Sequence, residues 1–256
     1  YWNLPDAAED PLSCLPEPDL PDPPASPYPP ALNWYTPQFA ALFFGRGRDI
    51  RNLYERIHPY RDGDRQDQAG EGAAGEGRRP TLDSGQASAP VVLYYGQSGT
   101  GKSSVLTAGL QPRLNKQAIT HYIRRQREQG LLGGMAAALG IPPAEEQLAC
   151  AWWILEQEAG RPIHVLIDQV DEVFTIPRAE GLDELEQLLC ALQSLGAPGT
   201  EKPRGKLLLG FRKERLAEIE RQCQDKSIAY AKVYLQPLDV RGVREVVMGP
   251  TTNHLK

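Results

Sequence analysis

Gly96, Gly99, Gly101, Lys102 and Ser103 sit in one stretch, VVLYYGQSGTGKSSVLTAGL from Val91 to Leu110, and their types and spacing suit the holding of a polyphosphate. Backbone N–H groups can wrap a phosphate only where the chain takes conformations that a side chain would obstruct, which is what recurring glycines supply. Lys102 then offers a point charge to the β- and γ-phosphates, and Ser103 a hydroxyl to Mg²⁺. The helix expected to follow adds the positive end of its dipole. A Gly-rich turn without function is the competing reading. The β-branched and aromatic residues before the loop, and the helical pattern after it, favour the phosphate cradle.

A second chemical signal lies in IHVLIDQVDEVF, Ile163 to Phe174, an apolar strand that stops at Asp168 and continues through Asp171 and Glu172. A carboxylate at a strand's end can hold Mg²⁺ directly or through water, and an acid slightly beyond can orient or deprotonate the attacking water. Asp168 is the metal candidate; Asp171 and Glu172 share the base role, and the sequence does not choose between them. An apolar strand ending in Asp is common by itself and gains its functional reading from the cradle upstream. The third signal, Arg212 in LLLGFRKERL, falls just past a predicted strand, where a guanidinium could reach the γ-phosphate and report its loss. A solvated charge fits that position equally well. His58, His121, His164 and His254 form no cluster and receive no catalytic role. Arg124, Arg125 and Arg127 read as a solvated face, with an anion or oligomer contact as the alternative.

The elements that must position these groups follow from periodicity. Residues 1–30 are dense in Pro and acidic residues and read as a linker or surface-draped arm, with a proline-rich ligand for a partner as the alternative. Residues 31–60 carry an opening segment and a helix in which Asp49 is the expected N-cap and Ile50, Leu53, Tyr54 and Ile57 recur at helical spacing. Residues 61–89 lack any apolar period and read as a flexible insertion. The core, 90–238, alternates strands with helices. After the cradle helix come a strand at 118–124, a helical stretch around Leu131 to Leu139, a helix at 144–158, a strand at 163–168, a helix at 182–195, a strand at 206–211, a helix at 214–224 and a strand at 231–235. Trp152 and Trp153 read as packing residues. Asp239 then caps a helix carrying Val240, Val243, Val246 and Val247, which opens a further segment, 239–256. Such alternation predicts an α/β fold, a five-stranded, mainly parallel sheet with helices on both faces and its ligand at the carboxyl ends of the strands.

Composition sets bounds on function. A chain of 256 residues with 41% hydrophobic content can bury one sizeable core. A formal net charge of -5 disfavours nucleic acid as a general partner. The four cysteines, Cys14, Cys150, Cys190 and Cys223, have no metal-ligand spacing and read as buried reduced thiols. No apolar run reaches the ~20 residues of a membrane span, so a cytoplasmic protein without a membrane partner is expected.

With these pieces in order, the chain resembles the STAND class of signal-transducing P-loop ATPases, and within it the bacterial branch called novel STAND type 1. The likeness runs from about residue 28 onward and is carried by LFFGRGRDIRNL, GQSGTGKSSVLTAGLQPRL, VLIDQVDEVFT and LLLGFRKERL. The resemblance implies a P-loop three-layer sandwich with ATP or ADP and Mg²⁺ as ligands. By it, Gly96, Gln97, Ser98, Gly99, Thr100, Gly101, Lys102, Ser103 and Ser104 hold phosphate and metal. Asp168, Asp171 and Glu172 form the acidic site, Arg212 the sensor, and Phe44, Gly45 and Arg46 lie near adenine and ribose; Gly249 and Pro250 approach the base. It also implies a sheet in which the fourth strand separates the cradle strand from the acidic strand, and a helical lid subdomain that starts at 239–256, with the rest of the lid and winged-helix parts to follow. In that class, nucleotide state gates oligomerisation, and many bacterial members defend against phage by linking a C-terminal sensor to an N-terminal effector. The expected function is therefore an ATP-dependent, weakly hydrolysing switch. A metabolic P-loop enzyme such as a small-molecule kinase and a nucleotide-bound scaffold without turnover are the alternatives. A GTPase is disfavoured, because Asn115-Lys116-Gln117-Ala118 ends in the wrong residue for guanine recognition.

Lys102→Ala removes the main cationic contact and is expected to abolish nucleotide retention, measured as nucleotide released when the purified protein is denatured. Retention equal to the parent would refute the cradle.

Overall fold

A computed structural model describes residues 10–19, 34–57, 89–143, 148–176, 183–193 and 201–253. Most of the predicted arm, the insertion up to residue 88, His58 and His254 lie outside the described residues. A 3₁₀ turn, Pro37–Leu42, leads to α1, Gly47–Ile57. The cradle strand β1, Val91–Gly96, feeds α2, which opens as Lys102–Ser104, passes through a π-helical stretch at Val105–Leu110 and closes as Gln111–Leu114. Then follow β2 (Ile119–Arg124), α3 (Gly130–Leu139), α4 (Leu148–Ala159), β3 (Ile163–Asp168) and the short α5 (Glu172–Thr175). The chain continues with α6 (Glu184–Leu192), β4 (Leu207–Arg212), a 3₁₀ turn at Lys213–Arg215, α7 (Leu216–Asp225), β5 (Tyr230–Leu235) and α8 (Val240–Asn253).

The five strands form one sheet in the order β2-β3-β4-β1-β5, and every neighbouring pair is parallel. Parallel strands need helical crossovers, which cover both faces, so the inner strands read as continuous apolar runs. VVLYY in β1, VLI in β3 and LLLGF in β4 do so. Successive side chains then enter opposite cores. Val91, Leu93, Val165, Ile167, Leu207 and Leu209 pack with α3, α4, α6 and α7, whereas Val92, Tyr94, Leu166, Leu208 and Val233 pack with α1 and α2. This is the three-layer α/β sandwich expected, and β4 lies between the cradle strand and the acidic strand.

Ile50, Leu53, Tyr54 and Ile57 turn one face of α1 into the second core, each burial contributing about 2 kcal/mol. Ile50 sits so close to Gly109 of α2 that a side-chain carbon at 109 would meet its Cδ1 at 2.7 Å. That contact fixes α1, and with it the segment just before it, against the cradle helix. Part of the arm joins the same core: Leu15 is buried there, and Lys116 pairs with Asp19.

Several readings are corrected. Asp49 lies inside the first turn of α1, where its carboxylate accepts from Arg46 at 2.9 Å instead of capping. Strand β4 runs one residue further than expected, so Arg212 is its last residue and not the one after it. Of the arginines read as a solvated face, Arg127 is exposed but Arg125 is buried. Its guanidinium donates to both carboxylate oxygens of Glu184, at 2.6 and 3.1 Å, and to the Ile176 carbonyl at 2.7 Å. Planar guanidinium meeting carboxylate in two parallel bonds is what makes such burial tolerable. The cysteines also differ from expectation: only Cys223 is buried, Cys190 is intermediate, and Cys14 and Cys150 are exposed.

Glu156, fully buried in α4, gave no signal in the sequence. It accepts backbone N–H groups from Ile163, Arg204 and Gly205 at 2.5–2.7 Å, tying the start of β3 to the approach to β4. Trp152, the packing residue expected, also donates its indole N–H to the Ile163 carbonyl at 3.0 Å. Asp239 caps α8 through the Gly242 N–H at 2.7 Å, and Val240, Val243 and Val247 of that helix are exposed. Among the described residues no helix is long and apolar enough to cross a membrane.

Glu184→Ala leaves the Arg125 charge buried without its carboxylate and is expected to cost about 4 kcal/mol of folding stability in chemical denaturation. A loss below about 1 kcal/mol, the range of an exposed pair, would show that the pair does not hold α6 to the sheet.

Candidate functional site

The carboxyl ends of β1, β3 and β4 meet at a cleft of 310 Å³ lined by Gly99, Lys102, Ser103, Asp168, Asp171, Glu172 and Arg212, among others. Gly99 and Gly101 hold φ values of +76° and +90°, and a side chain at either would meet nothing within 4 Å. Backbone conformation, not space, therefore demands glycine there, and the loop stands open to a ligand. Lys102 bends back to donate to the carbonyls of Gly96 and Gln97 at 3.2 and 2.9 Å. Burial pulls its amine below the usual lysine range, against the opposing pull of the Asp168 and Asp171 carboxylates.

Ser103 Oγ donates to Asp168 Oδ2 at 2.5 Å, so the hydroxyl and carboxylate expected to share a metal are already side by side. The same Oδ2 accepts the Tyr122 hydroxyl at 2.9 Å, and Oδ1 accepts the Gln169 N–H at 2.9 Å. Gln169 itself takes a left-handed φ of 60°. A serine hydroxyl and one carboxylate are hard oxygen donors, few in number, which fits Mg²⁺ bound mainly by phosphate and water. Among the described residues no group of three or more His, Cys, Asp or Glu is arranged as an all-protein metal cage.

Asp171 and Glu172, alike in sequence, differ in geometry. Asp171 is buried and accepts the Arg212 backbone N–H at 3.2 Å and its Nε at 3.1 Å, so it holds the sensor candidate at the end of β4. Arg212 Nε keeps that bond although its side chain is 58% exposed to the cleft and solvent. Glu172, first residue of α5, lines the cleft, and among the described residues its carboxylate makes no hydrogen bond.

Arg46 is buried, and its guanidinium is spent on protein. It donates to Asp49 at 2.9 Å, to the Gln236 carbonyl at 2.8 Å and to the Thr100 carbonyl at 2.6 Å. It thus clamps the cradle to the exit of β5. Gly45 and Arg46 line a second cleft of 300 Å³ with Gln236, Pro237 and Gly242, while the Phe44 ring lies against Gly249 of α8. Ser104 lines the cleft beside Ser103, but its hydroxyl accepts the Tyr35 N–H at 3.1 Å, and Thr107 donates to the Tyr35 carbonyl.

Sequence reading missed three contributors. Tyr122 gave no motif; Trp34 was hidden in the opening segment; Arg124 was grouped with its charged neighbours. Trp34 lines the same cleft as Lys102 and Asp168, and the Arg124 guanidinium stands 4.3 Å over its ring while donating to Gln169 Oε1 at 2.5 and 3.0 Å. Alternation along β2 was the available clue, since Tyr122 and Arg124 share one face.

A family profile described as Novel STAND NTPase 1 matches residues 27–255. No curated protein matches the chain. Among solved structures, the Aeropyrum pernix ORC2 protein in its ADP form is similar at 15% identity and TM-score 0.47, over 64% of this chain and 47% of that one. The Aeropyrum pernix ORC1 protein in complex with DNA is similar at 17% identity and TM-score 0.48, over 85% of this chain and 52% of that one. The chain spans about half the length of these structures.

Arg46→Ala removes three charge-assisted bonds and is expected to lower stability by about 2 kcal/mol and to weaken nucleotide retention. Arg46→Lys keeps the charge but not the fork, so denaturation midpoints should show it failing to restore the parent value. Full restoration by lysine would show that charge alone matters here.

Proposed function

This chain belongs to the novel STAND NTPase 1 family, and on that premise we propose that it binds ATP and ADP with Mg²⁺ and works as a weakly hydrolysing switch. Its nucleotide state would gate assembly into a homo-oligomer and activation of an effector, with a sensor on the C-terminal side, in bacterial defence against phage. One observation supports this reading above the others: Arg212 is held by Asp171 at the edge of the same cleft that contains the cradle, within reach of the place where a γ-phosphate would come and go.

The residues divide the work by their geometry. Loop amides and Lys102 receive the phosphates, Lys102 exchanging its loop carbonyls for phosphate oxygens. Ser103 and Asp168 would hold Mg²⁺, which when bound neutralises charge on the β- and γ-phosphate oxygens. Glu172, whose carboxylate has no hydrogen-bond partner among the described residues, would accept a proton from the attacking water. As the water oxygen bonds to the γ-phosphorus, the bond to the bridging oxygen breaks and ADP is left. Asp171 keeps Arg212 pointed at the cleft, so loss of the γ-phosphate removes an acceptor that Asp171 alone then supplies. That Glu172 has no hydrogen-bond partner among the described residues supports turnover over the scaffold reading.

Glu172→Gln is expected to slow ATP hydrolysis about 100-fold while nucleotide binding stays at the parent level. Phosphate release at the parent rate would remove Glu172 from the base role. Mass analysis of nucleotide released by denaturation tests the switch itself: tightly held, slowly exchanging ADP is expected, and absence of nucleotide with rapid multiple turnover would overturn the reading.

A further inference from the structure

We propose that Tyr122 is a positioning residue for the metal-side carboxylate, its hydroxyl holding Asp168 in the orientation that receives Mg²⁺; this rests on the nucleotide-site reading above. Strand β2 lies at the sheet edge beside β3, and their register pairs Arg124 with Asp168. Tyr122, two residues back, presents its side chain on the same face as Arg124. A phenol is long enough to cross from that position to the end of β3, and it ends 2.9 Å from Asp168 Oδ2.

Three donors reach this carboxylate from three elements: Ser103 from α2, Tyr122 from β2 and the Gln169 N–H from the chain just past β3. They differ in what they can do when a cation arrives. The Ser103 hydroxyl can turn its lone pair to the metal. The Gln169 amide is fixed by backbone, and the phenol is fixed by its ring. With Ser103 turned away, Tyr122 and Gln169 keep the carboxylate from rotating and leave a lone pair directed at the cleft. Arg124 braces the next residue through Gln169 Oε1, so alternate side chains of β2 support consecutive positions of the acidic turn. Removing a partner that orients a metal ligand in this way lowers metal affinity by roughly 10- to 100-fold.

Tyr122→Phe in the full chain keeps the ring and removes only the hydroxyl. The probe is a fluorescent methylanthraniloyl-ADP, titrated with and without MgCl₂. The expected result is unchanged affinity in metal-free buffer, an unchanged unfolding midpoint, and a MgCl₂ concentration for half-maximal retention about 10-fold above the parent. A parent that responds to MgCl₂ beside a variant with the same MgCl₂ dependence overturns the role of Tyr122 alone. So does a variant that only unfolds more easily. A parent that shows no MgCl₂-dependent retention overturns the nucleotide-site reading, and the role of Tyr122 falls with it.

Discussion

The short hydrogen bond between Ser103 and Asp168 spans a gap that the sheet order creates. With β4 between β1 and β3, the cradle and the acid stand two strand spacings apart, about 10 Å. Both can serve one ligand only if β4 ends in residues that stay out of the way. Gly210 meets that need, since a side-chain carbon there would come within 3.1 Å of Asp168 Oδ1. Beyond it, Arg212 turns the same strand end to use by pairing with Asp171. A sheet order thus becomes a chemical arrangement through one small residue and one long one.

The site is held from a distance as much as from nearby. Arg46 ties the cradle to β5, α1 ties Arg46 to α2, and Glu156 ties the start of β3 to the approach to β4. Each tie joins segments far apart in the chain; those of Arg46 and Glu156 use a buried charged group whose hydrogen bonds offset the cost of burial, while that of α1 is the packing of Ile50 on Gly109. Loosening one of them would shift the glycine loop or the acidic strand.

Much of this was legible before the structure. Strands announced themselves because inner parallel strands are apolar throughout, and the glycine cradle because its backbone requirements are narrow. Asp168, Lys102 and Ser103, residue types tied to a fixed spacing, were expected together, and they line one cleft. What stayed hidden were relations between distant residues. Asp171 and Glu172 are equivalent in the string, and only the position of Arg212 separates them. Arg125 looked solvated because its partner, Glu184, is 59 positions away in another element. Tyr122 is an ordinary strand residue until β2 is known to lie beside β3. The π-helical stretch in α2, where Val105 to Leu110 are all buried, has no composition that marks it.

Trp34 sits at the rim of the phosphate cleft with a guanidinium over its ring, and that arrangement carries an optical consequence. Indole emission responds to the charge and water around the ring, and here the charge belongs to an arginine whose other partner adjoins Asp168. Trp152, sealed in the core, does not line that cleft. An indole at the rim therefore offers a label-free optical handle on whatever enters the cleft.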